Sequence, residues 1–166
     1  LYAHTDLEFE PISAGRQMGG HFSTKALNDD GSWKNLMQQK NSSSDISPTA
    51  GQMPRLVGLG LASKMYRNNK SLNHLTHFSN NGNEVAFGTI GDASTSEGIF
   101  WESINASCVL EIPIVMSVWD DGYGISVPKK YQTTKESISE SLSGMEISEG
   151  SNGLKIFKCK VPFTTW

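Results

Sequence analysis

Two short apolar runs, "EVAFGTI" (Glu84–Ile90) and "IPIVMSVW" (Ile112–Trp119), constrain this chain more than any other feature. Runs of this length, rich in Val and Ile, suit strands of a buried parallel sheet. Between them, "SEGIFWESINASCVLE" carries Phe100, Ile104 and Cys108 at i, i+4 and i+8, one stripe of an amphipathic helix. Ser94 followed by Glu97 matches a capping box and predicts a helix start near Thr95. Strand, helix and strand in that order make a right-handed βαβ unit. The fold class expected is therefore α/β, a parallel sheet flanked by helices.

The flanking sequence adds fewer constraints. "SPTAGQMPRLVGLGLASKMYR" places Met53, Leu56, Val57, Leu59, Gly60, Leu61 and Met65 where a well-buried helix needs them, with Pro54 tolerated in its first turn. Its glycines weaken a helix but let another backbone come close. Residues 28–45 and 68–83 are polar and read as insertions in a single, truncated domain spanning residues 1–166. His74 and His77 share a face if the second insertion is helical. With no third ligand nearby, exposed polar histidines are the default over a zinc site. After Ser126 the chain predicts a lysine-bearing loop, a short amphipathic helix and a strand at "GLKIFKCKV", while "PFTTW" has no usable pattern.

Composition removes some functions. A chain of 166 residues is long enough for one domain with a sizeable core. A net charge of -3 advertises no basic face for nucleic acid or anionic membrane. No stretch approaches the roughly 20 apolar residues of a membrane span, and no signal peptide is visible. Cys108 and Cys159 have no metal spacing and read as small buried hydrophobes.

The chemistry gathers where the strands end. In open α/β sheets, ligands bind beyond the carboxyl ends of the strands. Gly91-Asp92 follows the first run and Asp120-Asp121 the second. If the strands are neighbours, Asp92 and Asp121 can converge on one ion. Oxygen ligands without Cys or His favour magnesium, which keeps part of its shell for a substrate phosphate. The start of the intervening helix would offer backbone N–H groups to that phosphate. Gly122 would free the turn so that a carbonyl near Tyr123 points inward. Ordinary solvated turns are the competing reading.

"GDASTSEGIFWESINAS…IPIVMSVWDDGYGISVP" resembles the thiamine-diphosphate motif, in the form found in α subunits of 2-oxo-acid dehydrogenase complexes. There Gly-Asp/Glu-Gly-Ala-x-Ser-Glu-Gly opens the motif and Asn-Asn-Gly-Tyr-Ala-Ile-Ser-x-Pro closes it. "GRQMGGHFS" (Gly15–Ser23) and "SPTAGQMPRLVG" (Ser47–Gly58) resemble two further segments of that family, in the same order. Branched-chain members look most similar. The resemblance implies a thiamine-diphosphate-binding fold, with magnesium held by Asp92, Asp121 and the Tyr123 carbonyl. It implies main-chain contacts from Ala93 and Ser94 to the diphosphate, Trp119 beside it, and Ser47 and Thr49 near the aminopyrimidine. His21 falls where the family has a histidine close to the active site.

The function so implied is oxidative decarboxylation of a 2-oxo acid, with the acyl fragment passed to a lipoyl group. The implied partners are a β subunit or β domain in a heterotetramer, the lipoyl acyltransferase of the complex and the 2-oxo acid. The compartment would be bacterial cytoplasm or mitochondrial matrix. The β chain would supply the glutamate that activates the aminopyrimidine. Some positions depart from the pattern: Asp120-Asp121 replaces Asn-Asn, and Trp119 replaces a diphosphate-facing arginine. These changes add acid and remove a base. Lys129 and Lys130 offset them if their loop folds back, and are otherwise solvated. The family's upstream Tyr-Arg segment and downstream histidine loop find no match here, so the resemblance reads the chain as a fragment, inactive alone and weak in cofactor binding. The alternatives are a degenerate subunit with an assembly role and a magnesium phosphohydrolase. The latter would need an Asp-x-Asp turn that the chain lacks.

Overall fold

β1 (Ala86–Gly91) and β2 (Ile114–Trp119) lie parallel, with Ala86 opposite Ile114 and Gly91 opposite Trp119. The computed structural model describes residues 24–39, 41, 43 and 46–160. α2 (Gly98–Leu110) connects the two strands, so the expected βαβ unit is present and the fold is α/β. α1 (Met53–Asn68) precedes it, with Pro54 in the first turn as expected.

The strand period of two puts Ala86, Gly88 and Ile90 on one face with Ile114, Met116 and Val118. Ile90, Met116 and Val118 join Met53, Phe100, Ile104, Ile138 and Leu142 in the core. Phe100 is 0% exposed, and burying a side chain of this kind contributes roughly 1.5–3 kcal/mol. α1 comes close to the sheet because Gly60 has no side chain: a Cβ there would sit 2.6 Å from the Ile114 methyl Cγ2.

The opposite face is bare among the described residues. Phe87 is 65% exposed, and Val115 and Trp119 are exposed beside it. The runs therefore form half-covered strands rather than fully buried ones. α1 is likewise less buried than its pattern suggested. Met53, Leu56 and Gly60 face inward, whereas Leu59 and Met65 are solvent-exposed.

Other expectations need correction. α2 starts at Gly98, not near Thr95, and no side chain caps it. Residues Ala93–Ser96 instead form a 3-10 turn, which uses up the positions that the capping box needed. "GLKIFKCKV", described as far as Lys160, shows no strand there: Leu154 makes one isolated bridge to Glu146, and the other described residues of the segment have no ladder partner. Cys159 is exposed and Cys108 only half-buried. Beyond Asn68, which ends α1, the 68–83 segment forms only a 3-10 turn at Lys70–Leu72 and no α-helix. His74 Nδ1 lies 2.8 Å from the Ser71 carbonyl, and His77 packs on the Phe78 ring at 4.0 Å. His21, with the Gly15–Ser23 motif, lies outside the described residues.

The two polar segments touch each other. Leu27 bridges Trp33, whose ring meets Phe78 edge-on at 4.8 Å, and the Leu36 N–H donates to the His77 carbonyl at 2.9 Å. After β2, β3 (Tyr123–Gly124) and β4 (Val127–Pro128) form a small antiparallel hairpin, followed by the one-turn α3 (Ile138–Ser141). The lysine loop and short helix expected after Ser126 are thus observed.

Candidate functional site

Because β1 and β2 are in register to their last residues, Asp92 and Asp120 leave the sheet side by side. The Asp92 N–H continues the ladder, donating to the Trp119 carbonyl at 3.1 Å. The two exits then differ. Asp92 is 3% exposed and starts the Ala93–Ser96 turn, where buried Thr95 donates both its N–H and its hydroxyl to the Asp92 carbonyl. Asp120 and Asp121 stay exposed.

Gly122 links the exits. Its N–H is shared between Asp92 Oδ2 at 3.1 Å and Asp120 Oδ1 at 3.2 Å. Its carbonyl accepts from the Lys129 N–H at 2.8 Å. The residue sits at φ +85, a left-handed conformation that glycine adopts without a Cβ penalty. The hairpin then carries Lys129 back, and its Nζ lies 2.7 and 2.6 Å from the two Asp120 carboxylate oxygens. The Lys129 side chain is only 19% exposed. It is therefore part of the site, while Lys130 stays outside against the Tyr131 ring. A second strap runs from the Ser96 hydroxyl to the Gln132 carbonyl at 3.1 Å.

Electrostatics follow from this packing. Burial pushes the Asp92 carboxyl above its ordinary value, the Ala93 and Gly122 N–H groups pull it down, and the Asp120 and Asp121 charges push it up again. Lys129 pairs with Asp120, whereas the Asp92 and Asp121 carboxylates accept from the backbone N–H groups of Gly122 and Tyr123. A pair of hard, oxygen-only donors carrying two charges suits a divalent cation such as magnesium. No three His, Cys, Asp or Glu residues form a ready-made cage among the described residues. The Asp121 carboxylate instead accepts the Tyr123 N–H at 3.0 Å. The donor chemistry fits magnesium; the ligand set would be two carboxylates completed by backbone and ligand oxygens.

The profile of the family described as "Dehydrogenase E1 component" matches residues 12–149, which include both strand ends, Gly122 and Lys129. The chain belongs to the dehydrogenase E1 component family. Among curated relatives, 2-oxoisovalerate dehydrogenase subunit alpha of Bacillus subtilis is 31% identical over 135 residues, covering 81% of this chain and 33% of the relative. The mitochondrial 2-oxoisovalerate dehydrogenase subunit alpha of Caenorhabditis elegans is 28% identical over 74% of this chain and 22% of its own length. A pyruvate dehydrogenase E1 component subunit alpha of Staphylococcus aureus matches 46% of the chain at 27% identity. The chain thus spans about a third or less of these relatives' lengths.

In this dehydrogenase E1 component chain the remaining candidate residues fall in two places, the turn before α1 and the strand ends. Ser47 and Thr49 are exposed in the turn before α1, and Ala50 after them belongs to the same core cluster as Ile90 and Phe100. Ala93 and Ser94 are half-buried in the turn after Asp92. Tyr123 is exposed, and Trp119 is 69% exposed with its indole N–H donating to the Ser117 hydroxyl. Sequence reasoning missed Thr95, taken for the first residue of a helix, and the linking role of Gly122. The adjacent hydroxyl and the Gly-Tyr-Gly turn were the available signals, and neither is specific. No helix among the described residues is long and apolar enough to cross a membrane.

Proposed function

We propose that this chain carries the magnesium–diphosphate half of a thiamine-diphosphate-dependent 2-oxo-acid dehydrogenase, with a branched-chain 2-oxo acid as substrate. The observation that carries the reading is the Gly122–Asp92 hydrogen bond across two adjacent parallel strand ends, with the Asp121 charge near enough to act on the Asp92 carboxyl. In it, Asp92 and Asp121 hold the cation through their side chains and Tyr123 through its carbonyl, while the Ala93 and Ser94 backbone faces the diphosphate. Ser47 and Thr49 would serve the aminopyrimidine and Trp119 the diphosphate, and His21 is the candidate catalytic residue. Thiamine diphosphate, when bound, accepts the electrons released as carbon dioxide leaves a 2-oxo acid.

What the chain's own residues do is bind and orient. Buried Thr95 closes the turn that carries Ala93 and Ser94 by donating to the Asp92 carbonyl. Gly122 keeps the second strand end at the first. The names of the 2-oxoisovalerate relatives support the branched-chain substrate. A β subunit completes the site, contributes the activating glutamate and places the acyl group within reach of a lipoyl acyltransferase. The compartment is that of the host's complex, cytoplasm or mitochondrial matrix.

Manganese titration followed by electron paramagnetic resonance, with and without inorganic diphosphate, tests the reading. The wild-type chain is expected to bind manganese more tightly with diphosphate present, and Asp92→Asn to lose about tenfold or more in affinity. Equal binding by wild type and Asp92→Asn would sink it. With thiamine diphosphate and magnesium, calorimetry on the chain alone should give only weak binding and no decarboxylation; micromolar binding would show that no partner is needed. An assembly-only subunit is the second reading, favoured by exposed Trp119 at the arginine position.

A further inference from the structure

We infer that Lys129 is a positioning residue that withdraws Asp120 from cation binding and so limits the site to the Asp92–Asp121 pair. The inference rests on the proposed magnesium–diphosphate function and adds a determinant of its cation stoichiometry and charge.

Asp120 is the carboxylate that the site does not need. It leaves β2 next to Asp92, close enough for its charge to act on the Asp92 carboxyl. Free, it would be a third acidic donor at the same strand ends, and each added carboxylate raises affinity for a bare divalent cation. It would also repel an incoming diphosphate, whose own charge already burdens the pocket. The structure prevents both. Lys129 Nζ contacts Asp120 Oδ1 at 2.7 Å and Oδ2 at 2.6 Å, so both oxygens are engaged by one ammonium. Asp120 Oδ1 also accepts the Gly122 N–H at 3.2 Å.

The lysine is delivered by backbone design rather than by chance contact. The β3–β4 hairpin reverses the chain, and the Lys129 N–H bonds the Gly122 carbonyl at 2.8 Å. Thus the same glycine that links Asp92 to Asp120 also fixes where Lys129 begins. The side chain is mostly buried, at 19% exposure, against 39% for Asp120. Such shielding makes the pair less sensitive to salt than a fully exposed one. Lys130, next in sequence, makes no such contact and lies over Tyr131 at 5.0 Å. The positive charge therefore comes from one defined residue of the loop.

The test uses the full 166-residue chain and four variants: Lys129→Met, Lys129→Arg, Asp120→Asn and the Asp120→Asn/Lys129→Met double. Manganese binding is read by paramagnetic resonance and inorganic diphosphate binding, in the presence of magnesium, by calorimetry. Lys129→Met should bind manganese alone about tenfold more tightly and magnesium diphosphate about tenfold more weakly. The double variant should return both values to within about threefold of wild type, and Lys129→Arg should resemble wild type. The inference is overturned if Lys129→Met leaves manganese affinity unchanged or lowers it, or if the double variant behaves like Lys129→Met. Manganese binding by Lys129→Met but not by wild type would sink the proposed native site while supporting the role of Lys129. Circular dichroism on each variant separates misfolding from these outcomes, and Asp120→Asn supplies a second route if Lys129→Met does not fold. With Asp120 neutral, adding Lys129→Met on top should then change manganese affinity by less than about threefold; a larger change would count against the inference.

Discussion

The two strand ends of this molecule are neighbours in the sheet but are held by different forces. After β1 the chain turns under cover: Asp92 and Thr95 are buried, and fully buried Phe100 anchors the helix that follows. After β2 the chain turns in solvent, where Asp120, Asp121 and Tyr123 are exposed and the bonds are polar. Burial gives the first end rigidity without charge compensation. The second end supplies charge and adaptability, and depends on a hairpin for its shape. A site that must fix one ligand and admit another benefits from that division.

Four substitutions break or sharpen this contrast. The largest effect is expected at the first end. Phe100→Ala should cost about 3–5 kcal/mol in urea unfolding, since it empties the centre of the core. Retention of wild-type stability would show that the first end does not depend on burial. Gly124→Val comes next. A Cβ at Gly124 would already lie 2.7 Å from the Ala93 Cβ and 2.5 Å from Gln132 Nε2. Pushing the hairpin off the first turn should cost about 1–3 kcal/mol and weaken manganese binding in the same variant.

The third, Asp92→Asn, has the opposite sign. Burial raises the Asp92 carboxyl above its ordinary value, so the folded chain holds that proton more tightly than the unfolded chain does. Ionised Asp92 therefore destabilises the fold at neutral pH, and the penalty fades as pH falls through the raised value toward the ordinary one. Asp92→Asn, whose side-chain oxygen can still accept the Gly122 N–H, should be more stable than wild type at pH 7 and lose that advantage by pH 3.5. Urea midpoints at the two pH values check this; a loss at pH 7 would mean the charge is compensated. The smallest effect belongs to the second end. Asp120→Asn should change stability by less than about 1 kcal/mol, with part of that change removed by added salt.

The parts of the fold that were legible are those written in apolar periodicity. β1, β2 and the body of α2 could be read from Ile90, Val118, Phe100 and Ile104 because their partners lie within one βαβ unit. "GLKIFKCKV" shows why the same reading fails elsewhere. Alternation makes a segment fit to be a strand, but only a neighbouring ladder makes it one, and Leu154 finds a single bridge. Met65 and Leu59 failed for a related reason: an apolar residue on a helix needs a surface to cover it.

At the site, sequence pointed to Asp92 and Asp121 because acids at strand ends are a local signal. It left Lys129 open between offsetting the added acid and staying solvated, because its position depends on a hairpin that turns at Ile125 with φ +57. It also mistook Thr95, because Ser94-x-x-Glu97 is equally compatible with a capping box and with the 3-10 turn that forms. The expectation at His21 stands outside the described residues.

Gly122 has one further consequence, and it is spectroscopic. Its single amide proton is contested by Asp92 and Asp120, carboxylates on the two strand ends. Any event that favours one acceptor must lengthen the bond to the other, so the chemical shift of this one amide registers the balance between the ends. A nitrogen–proton correlation spectrum of the labelled chain would therefore report on cation arrival at Asp92 and on loss of the lysine contact at Asp120 through the same peak.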